Sequence, residues 1–529
     1  MKIRKYIGYK TLPLAFLALG LSSCGDFLKE SSQDTDYVRT WNDLDELLLG
    51  SAYMPVNESS NFLSQNNYGD FLHLLTDELE EQTSGQDYND GHDQIFGYFT
   101  WQQRTGQNPD YTDFYPENTT WTKVYYAINV CNNILESIKD VPQTLDAEKQ
   151  GALKVAGEAH FLRGYYYFWL TNLYGKAFNP ETASTDLAVP IKITSEVQDT
   201  KFRRNTVAEC YEVALADLLE AEKELSQYKT AQKSIYRADS TAVQLLLSRV
   251  FLYVQNWEKA AEYAQKVIKS HPQLQDLNSN KASFMQLSNP ETLFSMGGDD
   301  LPCMLNYGAQ SLKVSDQQYQ AYSGNDLRRS LWFWRNNNFT GITKQPEGTA
   351  YTNLKKDDSR YYYQAYTDGY RNMKTDISSI FWLHASEAYL NLAEAEAYMG
   401  NENLARNAIN TLRENRLDKS SKGVMIESSG DKLIQDIREE RRRELVLEGH
   451  RWFDLRRYRV CKVAPDKTAI THDYAYYPNN TSKTINTIHR FVLTEDDKSW
   501  VLPIPHEVLE FNDGMQNNEN EYRNYTVVK

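Results

Sequence analysis

A repeated helix–turn–helix pattern restricts this chain more than any other feature. In residues 240–272, STAVQLLLSRVFLYVQNWEKAAEYAQKVIKSHP, apolar side chains recur at three- and four-residue steps: Val243, Leu246, Leu247, Val250, Phe251 and Val254. That spacing places them on one face of a helix. A break at Gln255-Asn256 precedes a second stripe at Ala260, Ala264, Val267 and Ile268, and Pro272 ends the unit. Ser248 and Ala260 are small where the two helices must approach closely. Residues 382–416 repeat the plan, with a first helix ending at Gly400 and a return helix turning Ala405, Ala408, Ile409 and Leu412 inward. Ala393 and Ala405 reproduce the spacing of Ser248 and Ala260. Two further pairs are predicted, 120–139 with 147–174 and 206–226 with 239–254. An isolated pair cannot bury its own apolar face, so such units must stack.

The small, small and Pro positions resemble those of a tetratricopeptide repeat. The predicted fold is therefore mostly α: stacked tetratricopeptide-like helix pairs with long irregular loop insertions and minor short strands. No Pro/Gly/Ser linker separates the pairs, so residues 41–529 are expected to form a single domain. Two insertions break the pattern, 80–119 and 296–376, both polar with aromatic residues interleaved. Loops this long are uncommon in compact domains and are usually functional. Short strands are expected at 187–193 and 488–493.

Composition narrows the function. The 529 residues carry 57 Lys+Arg against 72 Asp+Glu, a formal charge of −15, which argues against nucleic acid or an anionic membrane surface as the main partner. Hydrophobic residues make up 41%, enough for a large core. The unusual element is 37 Tyr and 10 Trp, residues enriched where a surface must grip a ligand.

The N-terminus reads as an address. Lys2, Arg4, Lys5 and Lys10 precede an apolar stretch from Leu12 to Leu21 and then Ser22-Ser23-Cys24. Ten apolar residues cannot span a hydrocarbon core of ~30 Å. Leu-Ser-Ser-Cys resembles the bacterial lipobox, which implies removal of 1–23 and acylation of Cys24. Residues 24–40 are mostly polar and read as a lipidated tether. Cys131, Cys210, Cys303 and Cys461 lie far apart without a C-x-x-C; they read as small buried residues, and sequence alone leaves disulfides open. The His residues form no H-E-x-x-H, and no P-loop, G-x-S-x-G or G-x-G-x-x-G occurs. DYNDGHD at 87–93 has its Gly one place early for an EF-hand and reads as a polar turn. No metal or cofactor is expected.

The sharpest signal lies at 436–457, DIREERRRELVLEGHRWFDLRR. Glu440, Arg441, Glu444, Leu445, Glu448, Gly449, Arg451, Trp452, Asp454, Leu455 and Arg456 fill the places of a hallmark of the SusD/RagB family of outer-membrane nutrient-binding lipoproteins. Residues 502–517, LPIPHEVLEFNDGMQN, resemble that family's P-I-P-x-x-E-L and Q-N segment, with Val508 before Leu509 and Asp513 in place of a Pro. Residues 158–175, EAHFLRGYYYFWLTNLYG, resemble its early Ala/Arg/Tyr-rich helix, and Cys24 followed by Phe27-Leu28 its start. Physically, Asp431 is positioned to N-cap the motif helix and Gly449 to end it, with Glu439 paired to Arg443. Glu440, Glu444 and Glu448 share one stripe. A solvated face and a buried Arg–carboxylate network are both compatible with it; Trp452-Phe453 favours the network. Acid catalysis is disfavoured because the surrounding Arg would keep the acids ionised.

The resemblance implies oligosaccharide capture at the cell surface and delivery to a TonB-dependent outer-membrane transporter of the SusC type, without catalysis. Sugars offer C–H faces to rings and hydroxyls to short polar side chains. Both insertions contain that mixture. Trp101, Tyr98, Trp332 and Trp334 are the first candidates for stacking, with Asn108, Arg335 and Asn336 for hydrogen bonding; Tyr68, Tyr88 and Tyr361 follow. The alternatives are the same scaffold capturing a peptide or another small nutrient, a surface glycoside hydrolase, and a protein–protein adaptor.

Overall fold

The structure is a computed structural model that describes residues 38–529 apart from 55–68, 70, 84–89, 197, 232–233, 283, 287, 298–311, 337–338, 343, 345–376, 480–481 and 483. The side chains of Asp90, Gly91, Trp334, Asn336 and Phe339 also lie outside the description. Cys24, Tyr68, Tyr88, Cys303 and Tyr361 fall outside it entirely.

Among the described residues, the chain opens with α1 (Trp41–Leu47), α2 (Phe71–Leu74), β1 (Leu79–Glu81), α3 (Asp90–Phe99), α4 (Thr119–Ser137) and α5 (Asp146–Tyr174). Next come α6 (Val207–Gln227), α7 (Ser240–Tyr253), α8 (Trp257–Ser270), β2 (Thr292–Ser295), β3 (Leu312–Val314), α9 (Asp316–Gln320), α10 (Arg328–Leu331), β4 (Phe333–Asn336) and β5 (Phe339–Ile342). The last part holds β6 (Trp382–His384), α11 (Ala385–Tyr398), α12 (Glu402–Glu414), α13 (Gly430–Glu444), α14 (Arg451–Arg459), β7 (Ile470–Tyr476), β8 (Thr487–Leu493), α15 (His506–Phe511) and β9 (Tyr525–Val527). The fold is mostly α, with stacked helix pairs as the periodicity predicts. The strands form small antiparallel sheets: β1–β3, β2–β6, β4–β5 and β7–β8–β9.

Local chemistry sets the helix ends. Thr206 and Glu209 form a capping box before α6, and Asp239 and Asn256 accept from backbone N–H groups at the starts of α7 and α8. Gly400 ends the α11 turn at a φ of 80°. In α7–α8, the Ser248 hydroxyl donates to the Ala260 carbonyl at 2.8 Å and accepts from Asn391 Nδ2 at 3.3 Å, so the small residue ties three helices together. The most extensive helix contact joins α5 to α6. There a Cβ on Gly157 would lie 2.6 Å from Leu225 Cγ, and one on Gly164 2.9 Å from the Ala214 carbonyl oxygen. Two glycines seven residues apart thus let the backbones approach.

Several local expectations change. The 488–493 strand exists as part of β8, but 187–193 contributes only an isolated bridge between Leu187 and Thr206. Ser429, not Asp431, occupies the N-cap of α13, and Asp431 sits in its first turn. The helix stops at Glu444, five residues before Gly449, with Leu445 as its C-cap and Leu447 at a φ of 53° in the turn that follows. Arg443 pairs with Glu440 rather than with Glu439. The insertions are less irregular than expected: α3 occupies part of 80–119, and β3, α9, α10, β4 and β5 fill part of 296–376. Cys131, Cys210 and Cys461 are buried and free.

The Glu/Arg motif is a buried ion-pair network. Arg328 donates to Glu440 at 2.5 Å, to Glu444 at 2.7 Å and to both oxygens of Asp326. Arg416 joins Glu444 to Glu291, each at 2.7 Å. Glu448 accepts from His384 Nε2 at 2.8 Å and from Lys344. Arg451 grips Asp77 through two bonds of 2.8 Å. Burial alone would raise the Glu444 pKa, but Arg416 and Arg328 outweigh it and hold the group at about 2. These side chains join the C-terminal helices to β-rich segments hundreds of residues away.

Candidate functional site

The predicted stacking residues go inside. Trp101 is 3% exposed; its indole N–H donates to the Leu75 carbonyl at 3.1 Å and its ring stacks on His472 at 4.5 Å. Tyr98 is buried and stacks on Phe71 at 4.8 Å, and burial pushes its hydroxyl pKa upward. Trp332 is 1% exposed, packed on Phe284 at 4.8 Å with Lys344 Nζ 4.8 Å from its ring. These three rings therefore present no face to solvent, which corrects their reading as open platforms. Each is a large apolar surface with core neighbours within reach, and burial wins. Asn108 spends its amide on its own turn: Oδ1 accepts from the backbone of Thr112 and Asp113, and Nδ2 donates to Thr112 Oγ1. Trp334, Arg335 and Asn336 lie on β4. Arg335 is exposed, its guanidinium 4.7 Å from the Tyr319 ring, with Arg329 4.5 Å from the same ring.

The exposed rings come from elsewhere, although one set belongs to the 80–119 insertion. After α3 the chain turns back sharply, Gln102 N–H donating to the Gly97 carbonyl at 2.9 Å. A Cβ on Gly97 would meet the Thr105 carbonyl oxygen at 2.1 Å, so only glycine fits this approach. Trp101 and Tyr111 both take left-handed φ values, 52° and 57°, rare for bulky residues. Such backbone strain concentrates at functional loops. Its result is that Tyr111 and Phe114 stand outward on the following turn.

Tyr111 meets the C-terminal tail. Its ring lies 6.3 Å from that of Tyr522, which is 61% exposed. Tyr525, 46% exposed, stacks on His489 at 4.1 Å and 10° between planes, and His489 in turn contacts Tyr476 at 4.1 Å. Beneath this rim, buried Phe96 makes edge contacts with Tyr111, Tyr474, Tyr476 and Phe491. The aromatic column thus runs without interruption from core to surface. Burial first, and the neighbouring Tyr522 and Tyr525 hydroxyls after it, push the Tyr111 pKa up to about 12, so Tyr111 is neutral and able to donate. Tyr111 donates to Gln102 Oε1 at 3.3 Å, and Gln103 Nε2 donates to the Asn520 carbonyl at 3.1 Å, binding loop to tail. Arg523 anchors the tail from below through Asp497 and the Trp101 carbonyl. Alongside, Arg104 lies 3.6 Å over the Phe114 ring while its Nε donates to Glu117 at 2.9 Å. Arg490 and Asp473 form a two-bond pair on the opposite face of the β7–β8–β9 sheet from His489 and Tyr525.

Flat rings beside amides and a guanidinium suit a ligand with both apolar faces and hydroxyl groups. Tyr522 and Tyr525 give no local sign in sequence; only the fold brings the tail to the loop. Among the described residues no group of His, Cys, Asp and Glu could hold a metal ion, and no helix is long and apolar enough to cross a membrane.

Comparison with known proteins agrees with this architecture. A family described as "SusD family" matches residues 310–522, and one described as "Starch-binding associating with outer membrane" matches residues 28–252. SusD-like protein P38 of Formosa agariphila is 23% identical over 414 residues, covering 69% of this chain and 77% of that protein. Starch-binding protein SusD of Bacteroides thetaiotaomicron is 32% identical over 162 residues, covering 29% of this chain and 25% of that protein. A solved SusD superfamily protein from Bacteroides thetaiotaomicron superposes with a TM-score of 0.67 at 21% identity, covering 91% of this chain and all of that one. A SusD-like carbohydrate binding protein from Bacteroides vulgatus gives a TM-score of 0.64 at 18% identity, covering 90% and 97%. With matching segments in both halves, the same fold along nearly the whole chain and the Glu/Arg motif built into its core, this chain belongs to the SusD family.

Proposed function

We propose that this protein captures oligosaccharides at the outer surface of the outer membrane and hands them to a TonB-dependent transporter of the SusC type, without cleaving them. The observation that carries ligand capture is the exposed tyrosine rim of Tyr111, Tyr522 and Tyr525 over its aromatic column. Its chemistry fits a sugar ring, and the names of the starch- and carbohydrate-binding relatives point to the same class. Arg335, Trp334 and Asn336 on β4 remain proposed as a further contact, with Arg335 exposed there. In this reading residues 1–23 are removed, Cys24 carries the lipid, 24–40 form the tether, and 41–529 fold as a single domain.

Binding without hydrolysis is supported by the state of the aligned carboxylates. Glu440, Glu444 and Glu448 are buried and held ionised by Arg328, Arg416, Arg413 and Lys344. A general acid must be protonated and within reach of its substrate.

The test uses mature protein with Cys24→Ser. Affinity electrophoresis and calorimetry against neutral and acidic polysaccharides should show binding without released products. Tyr111→Ala/Tyr522→Ala should weaken it by about tenfold or more with the melting temperature retained. Equal affinity in wild type and variant would sink the site, and sugar release would sink the binding-only reading.

A further inference from the structure

A second concave site lies away from the tyrosine rim, built from different elements. It is a cleft of about 500 Å³ between the 321–326 turn, α13 and the 417–427 loop. That volume lies in the range of small-molecule pockets. Its walls are fixed before any ligand arrives. Arg413 holds the loop by donating to the Val424 carbonyl at 2.6 Å and the Gly423 carbonyl at 2.9 Å. Asn410 pairs with both backbone groups of Ile426. Asn325 Nδ2 donates to the Lys422 carbonyl at 3.1 Å, and the Asp418 N–H to the Asn325 carbonyl at 2.9 Å. Pre-formed walls lower the ordering cost of binding.

The lining defines the ligand class. Arg413 and Arg443 line the cleft, yet both are paired with buried Glu440. With Lys422 they set three cations against the carboxylates of Asp326, Glu427 and Asp436, so the lining carries no net formal charge. Around them stand hydroxyl, amide, ammonium and carboxylate groups from Ser323, Asn325, Lys422 and Glu427. Met425 lines the same cleft and is 47% exposed, offering an unpaired apolar flank. Balanced charge, many donors and acceptors, and one apolar flank match a neutral, hydroxyl-rich molecule. The volume accommodates a disaccharide. We infer that this cleft is a second, independent saccharide subsite taking the end of a neutral glycan. The inference rests on the glycan reading above only for its choice of probes.

The experiment separates the two sites. Mature protein carrying Tyr111→Ala/Tyr522→Ala is titrated with maltose, cellobiose and laminaribiose, and crystals of it are soaked in each. The expected result is weak disaccharide binding that survives in this variant, with density beside Met425. Adding Met425→Asp should weaken that binding by about tenfold, while Met425→Leu keeps it. Absence of disaccharide binding in the tyrosine variant, or binding indifferent to Met425→Asp, overturns the cleft assignment. Failure of the rim shows separately, as polysaccharide affinity unchanged by the tyrosine substitutions.

Discussion

Trp101 was attractive from sequence because it sits in a polar insertion, where a large ring has few neighbours along the chain. Its partners, Leu75 and His472, are 26 and 371 positions away, and no local pattern announces them. Trp101→Ala should therefore behave as a core truncation, costing about 3–5 kcal/mol in denaturant unfolding, while the folded fraction keeps its sugar affinity. Glu444 shows the opposite case. Its place in the Glu/Arg motif was legible and a buried network was favoured there, but its partners Arg328 and Arg416 lie outside the motif, 116 and 28 positions away. Glu444→Ala should cost about 3–5 kcal/mol, since it leaves buried guanidinium groups without their anion. Unchanged denaturation midpoints in that variant would show that the network is dispensable.

At the scale of elements, helices were readable because their apolar spacing is a property of contiguous residues. α7, α8, α11 and α12 fall where their stripes place them. Strands and caps were less so. Residues 187–193 pair only through one bridge, because side chains take the neighbouring carbonyls: Arg204 donates to those of Leu187 and Ala188, Tyr125 to that of Pro190, and Asn132 and Tyr167 to that of Lys192. The glycines of α5 carry a meaning that only the packing reveals. Gly157→Leu should force α6 away at Leu225 and lower stability by about 1–3 kcal/mol, read as a drop in melting temperature, with the α-helical circular dichroism signal retained.

For the molecule as a whole, buried carboxylates make acid the natural denaturant. Glu444 and Glu394 are each buried, which would raise their pKa, but neighbouring arginines hold both at about 2; Glu440 and Glu448 are also held below the ordinary 4.5. A carboxyl whose folded pKa is depressed stabilises the fold above its unfolded pKa, and that contribution disappears as pH falls toward the folded value. The melting temperature should change little from pH 7 to 5 and fall steeply between about pH 4.5 and 2. A flat profile down to pH 3 would contradict the network's role. The candidate site belongs to this scale too: Gln103 and Asn520, 417 residues apart, meet where loop and tail close the tyrosine rim. The insertion 80–119 still supplies Tyr111 to the proposed rim, while the rings Trp101, Tyr98 and Trp332 went to the core. That division has an optical consequence. With Trp101 and Trp332 sealed inside, a glycan settling on Tyr111 and Tyr522 would perturb phenol rings rather than those two indoles, and a change in indole emission would instead report contact at Trp334 on β4. Difference absorbance in the phenol band is the signal to follow.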